Sequence, residues 1–156
     1  MDQPILATLG GLVFVAALAD AAVSDLSRFR IPNRVPLVLL VAFLPAALAA
    51  GMGVEQIGWR LLAALVVFAV CLALFALRLW GGGDAKLVPA VALWLGFAAL
   101  PRFLVVMAVA GGALALVTLL ARRLKLTTAS RVPYGVAIAA GGLDWWVATF
   151  LPRLTG

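Results

Sequence analysis

Two carboxylates in this apolar chain stand where chemistry could be done. Asp84 closes the run Gly81-Gly82-Gly83-Asp84 and leads into Ala85-Lys86-Leu87, between two apolar stretches. Asp25 lies in Ser24-Asp25-Leu26, ahead of Arg28, Arg30, Ile31-Pro32-Asn33 and Arg34. Two carboxylates brought together do not both ionise readily, so one keeps its proton. The ionised one can then take a proton from water while the protonated one donates to a carbonyl oxygen. That chemistry needs no metal, imidazole or thiol. The sequence has no histidine, which excludes imidazole-based zinc hydrolysis and Ser-His triads. Its single cysteine, Cys71, cannot form an internal disulfide or a paired-cysteine metal site and reads as a small buried hydrophobe. No cofactor and no metal are expected.

Each residue also has a plainer reading. Asp84 could serve only as the N-cap of the next helix, and three glycines could be only a flexible loop. Taken alone, Asp25 is a polar loop residue paired with Arg28 or Arg30. The pair is what gives both acids a reason to be there. Asp20, five residues before Asp25, lies roughly 140° away around a helix and is expected to pair with a basic group or tune the site. Asp144, beside Trp145 and Trp146, reads as structural or interfacial. Asp2 and Glu55 read as solvated. Lys86 is expected to favour an ionised carboxylate nearby or to meet a substrate carboxylate. Pro133-Tyr134-Gly135 reads as a helix start, with Tyr134 either interfacial or hydrogen-bonded into the site.

The elements that must position these residues are membrane spans. The chain is 66% hydrophobic and 12% charged, against about half and about a quarter for soluble domains. That composition predicts an all-α, polytopic membrane protein, a bundle of six transmembrane helices, and leaves little for anything else. The spans are expected at residues 5–23, 35–50, 57–80, 85–100, 103–121 and 132–151. Trp59 and Trp80 are expected as interfacial anchors at the ends of the third, and Pro101-Arg102 as the turn between the fourth and fifth. The first run lacks a preceding positive charge and reads as a retained helix rather than a cleaved signal peptide.

Lysine and arginine counting sets the orientation. Arg28, Arg30, Arg34, Arg78, Lys86, Arg122, Arg123, Lys125 and Arg131 fall on one side; Arg60, Arg102 and Arg153 fall on the other. The first side is therefore expected to be cytoplasmic, with both termini outside, and it carries both Asp25 and Asp84. The net charge of +6 is explained by these loops and by anionic headgroups, so no nucleic-acid partner is expected.

Together, Ser24-Asp25-Leu26 with Arg30-Ile31-Pro32-Asn33, then Gly81-Gly82-Gly83-Asp84-Ala85-Lys86-Leu87, then Pro133-Tyr134-Gly135 before an Ala/Gly-rich helix, resemble the prepilin peptidases. These are membrane aspartic peptidases with a GxGD motif. The short form resembles the CpaA/TadV-like branch, which serves Flp-type pili of tight-adherence systems. The resemblance covers nearly the whole chain and implies a single transmembrane aspartic peptidase domain over residues 1–156, in the bacterial inner membrane. It implies catalytic Asp25 and Asp84, with Gly81, Gly83, Lys86 and Tyr134 supporting them or binding substrate. The substrate it implies is a prepilin, cut between a short basic cytoplasmic leader and an apolar helix. Larger members carry a cytoplasmic domain with paired cysteines and also methylate the new N-terminus; with one cysteine and no room for that domain, this chain is expected to be a peptidase without methyltransferase activity.

Two readings from other classes stand beside this one. A small transporter would use Asp20, Asp25 and Asp84 as an ion path and would want acids spread through the membrane depth. A non-catalytic pilus-assembly subunit would keep the fold and tolerate Asp25→Asn. The bilayer is a partner in every case, and the oligomeric state stays open.

Overall fold

A computed structural model describes residues 3–125 and 132–155, with side chains for residues 8–125 and 132–150. The described residues form five helices and no strand: α1 (Gln3–Arg28), α2 (Arg34–Ala49), α3 (Val54–Ala76), α4 (Asp84–Arg123) and α5 (Tyr134–Thr155). Three segments are long and apolar enough to cross a membrane: Thr8–Arg28, Val54–Ala76 and Asp84–Arg123. Many of their leucines and valines face outward, as a lipid-facing surface requires.

Five helical elements stand where six spans were expected, because α4 joins two helices across a kink. The fourth and fifth expected spans form α4, and the predicted turn at Pro101-Arg102 lies inside it. The break is at Gly96 instead, with φ 68° and ψ 174°, a region open essentially to glycine alone. The chain reverses there. Asp84 starts α4 at the end of the bundle where Asp25 lies. Trp94 reaches the opposite end, where it shares a cavity with Met52 and Arg60. Gly111 is back at the first end, against Tyr134. Arg60 of α3 donates to the Trp94 carbonyl at the break, which satisfies an acceptor the interrupted helix leaves open. Gly96→Ala is therefore expected to cost about 1–3 kcal/mol. It should lower the thermal unfolding midpoint in detergent, while Gly58→Ala, whose added Cβ meets nothing within 4 Å, should leave it near wild type.

Residues 85–95 are the centre of the molecule. All of them but Lys86 are buried, as a helical stretch whose other residues are all apolar must be. Phe14 and Leu18 of α1, Leu39 and Phe43 of α2, Phe103 of α4 and Ile138 of α5 share their core. The Trp94 ring lies 5.2 Å from Phe14 and 5.9 Å from Phe43, and its Nε1–H donates to the Leu39 carbonyl at 2.9 Å. The consequence for the site is direct: Asp84 is the first residue of the most enclosed helix in the bundle.

Candidate active site

Asp25 lies within α1, which continues through Arg28, and not in the polar loop expected after residue 23. Ser24 and Leu26 carry no helix breaker, and the chain leaves the helix only ahead of Pro32, which disfavours helical geometry at the residue before it. Asp25 is 7% exposed. Its Oδ2 accepts a 2.6 Å hydrogen bond from the Gly135 N–H at the start of α5. Neither Arg28 nor Arg30 holds it. The Phe29 N–H closes the end of α1 on the Asp25 carbonyl at 2.9 Å, which puts Phe29 in a left-handed conformation with φ 50°.

Asp84 is not the N-cap. Gly83 takes that place, and Asp84 is the first helical residue. The three glycines before it have no positive φ among the described residues, so their use is space rather than backbone freedom. A Cβ on Gly81 would lie 3.0 Å from Asp84 Oδ2, and one on Gly83 would lie 3.1 Å from Ile31 Cβ. Gly81 thus leaves room for the carboxylate. Gly83 lets the loop after α1 come down onto the glycine turn.

The two aspartates line the same cavity of about 520 Å³, with Phe29, Asn33, Gly81 and Lys86 among its other walls. They also line a second one of about 420 Å³, with Phe29, Trp80, Val132 and Tyr134. Asp25, Phe29, Gly81 and Asp84 belong to both, so the acids stand between two openings. Trp80 lies past the end of α3 and walls the second cavity, partly buried. Tyr134 reaches this second cavity, and its ring rests on Gly111.

The loop carrying Phe29 to Asn33 is pinned on both sides. The Lys86 ammonium donates to Asn33 Oδ1 at 3.2 Å, so it is turned to the loop rather than to either aspartate. Arg34 forms a bidentate pair with Asp20, both bonds at 2.8 Å, and Ser24 Oγ donates to Asp20 as well. Asp20 and Asp25 thus serve different neighbours on different faces of α1. Asp144 pairs with Arg102 across α4 and α5 at 2.7 and 2.9 Å, a structural contact. Asp2 and Arg131 lie outside the described residues. Gly135, Phe29 and Ile31 were not legible as site residues. The only sequence sign of Gly135 was its place in Pro133-Tyr134-Gly135, and nothing local ties it to a residue 110 positions earlier.

Comparison with known proteins gives this arrangement a context. The model of the type IV leader peptidase family matches residues 12–116. The prepilin leader peptidase/N-methyltransferases of Burkholderia pseudomallei strains 1026b and K96243 are each 42% identical over 62 residues, 40% of this chain and 19% of theirs. The alignment thus spans about a fifth of the length of these relatives. No solved structure matches. The family match takes in both aspartates, the glycine turn and two thirds of the chain; the protein belongs to the type IV leader peptidase family.

Proposed function

We propose that this protein is an aspartic endopeptidase of the inner membrane that removes the short basic leader from Flp-type or related prepilins. Asp25 and Asp84 form the dyad: one takes a proton from the attacking water and later gives it to the leaving amine, while the other donates to the scissile carbonyl and takes a proton back as the tetrahedral gem-diol collapses. A coupled pair titrates as a unit, so the two roles belong to the dyad. The observation that carries this reading is the convergence of Asp25 and Asp84, from different helices, on one cavity in a leader peptidase family chain. The charge bias of the loops supports a cytoplasmic site and outward termini. Asp20 and Asp144 argue against an ion path, since each is committed to an arginine.

Methyl transfer is not part of the proposed activity. The sequence holds one cysteine, and Cys71 is buried, so the paired cysteines that the resemblance attaches to that activity have no counterpart in it. The test is co-expression with a Flp-type prepilin carrying a C-terminal tag. The expected product is a shortened pilin whose mass places the cut at the junction of leader and apolar helix, with an unmethylated N-terminus. A prepilin of unchanged size, across a panel of such substrates, would reject the peptidase reading.

A further inference from the structure

A third cavity extends the first. It is an apolar groove of about 510 Å³ lined by α2 (Leu37, Leu40), α3 (Leu61, Leu65, Phe68) and the buried half of α4 (Pro89, Ala90, Leu93). It shares Asn33 and Lys86 with the cavity that holds the two aspartates. The groove therefore runs from the site along the bundle, in the direction of the bilayer interior. α2 and α3 both pack on α4, and the groove opens outward between them. Its rims are exposed: Leu37 is 60% and Leu65 64% accessible. Its floor is small or flat, with Ala64, Pro89 and Ala90, which permits close approach of another helix. From Lys86 to Leu93 and from Leu61 to Phe68 it measures about seven residues, or two helical turns of roughly 10 Å.

Resting on the peptidase reading above, we infer that this groove seats the first two turns of the substrate's apolar helix, and that the leader leaves on the opposite side of the dyad, past Trp80 and Tyr134. Continuity decides the occupant. An apolar helix that begins at the scissile bond needs an apolar trough that begins at the aspartates, and this groove meets the site at Asn33 and Lys86. The cavity on the other side of the dyad is walled beyond the acids by Phe29, Leu79, Trp80, Gly81, Val132 and Tyr134, which lie in connections or at the first residue of α5, so among the described residues it is not a trough running along helices. The substrate's chain direction is thus assigned: helix between α2 and α3, scissile bond between Asp25 and Asp84, leader towards the start of α5. Asn33 and Lys86 stand at the junction, where the helix gives way to extended chain.

The test uses a tagged Flp-type prepilin with a photoreactive residue in either the leader or the first two turns of its helix, bound to the Asp84→Asn protein in membranes. The helix probe is expected to label α2 and α3 near Leu40 and Leu65, and the leader probe residues 79–80 and 132–134. In parallel, Leu65→Trp narrows an exposed rim without adding polarity. Against a cleavable prepilin in detergent it should raise KM about tenfold and leave kcat within about threefold, the sign of lost uniform binding. An unchanged KM, exchanged labelling sites, or a helix probe that labels lipid alone overturns the assignment. Failure of the peptidase reading is a different result: the wild-type protein then leaves every prepilin uncut.

Discussion

Asp25→Asn and Asp84→Asn are each expected to reduce prepilin cleavage on the order of 10³-fold, with membrane insertion unchanged. The amide keeps the volume of the carboxylate and, at position 25, an oxygen that can accept the Gly135 N–H now bonded at 2.6 Å. Geometry is therefore preserved and only acid–base capacity is lost, which is worth 10²- to 10⁴-fold for one positioned group. The losses should not multiply. With one carboxylate gone the other has no partner, so the double variant should be about as inactive as either single one. Asp20→Asn and Asp144→Asn are the controls. Each breaks a partly exposed arginine pair, worth about 1 kcal/mol or less, and should cut within about threefold of wild type. Pilin size on a gel and the initial cleavage rate in detergent read the result. A wild-type rate from either dyad variant removes the dyad from the mechanism.

The convergence of Asp25 and Asp84 was legible because it follows from long-range regularities. Hydropathy separates the apolar runs, and loop charge assigns their ends, so two acids in the first and third loops fall at one end of the bundle. The reversal at Gly96 was not legible. Leu95-Gly96-Phe97 looks like helix interior, while Pro101-Arg102 looks like a turn; what stabilises the break is Arg60, a side chain 36 positions upstream. The glycine turn was legible as a site but not in its physics. Flexibility is the local inference from three glycines, whereas the structure uses Gly81 and Gly83 as missing side chains against Asp84 and Ile31. That distinction depends on which element descends on the turn, and nothing in the turn itself encodes it. The same limit hid the anchor of Asp25, a backbone N–H with no side chain to announce it.

That anchor carries the second large expectation. Gly135→Ala should lower kcat about 10²-fold while changing KM little, because it moves a reacting group by a fraction of an ångström to an ångström. A Cβ at position 135 would lie 2.9 Å from both Asp25 Cβ and Asp25 Oδ2. Neither atom is the free end of a long side chain. The aspartate is short and already buried, so relief requires α5 or the end of α1 to shift. Either shift disturbs the 2.6 Å bond that holds the Asp25 carboxylate in its place beside Asp84. Gly135 is thus a positioning residue: its N–H orients the carboxylate, and its missing Cβ leaves room for it. The comparison variant is Gly112→Ala, where the added Cβ meets nothing within 4 Å; it should be neutral. A merely structural role for Gly135 would lower the amount of folded enzyme and leave kcat per active site unchanged. Cleavage rate normalised to folded protein separates the two. A drop confined to yield, with normal kcat, would show that the Gly135 contact supports packing and not the placement of the dyad.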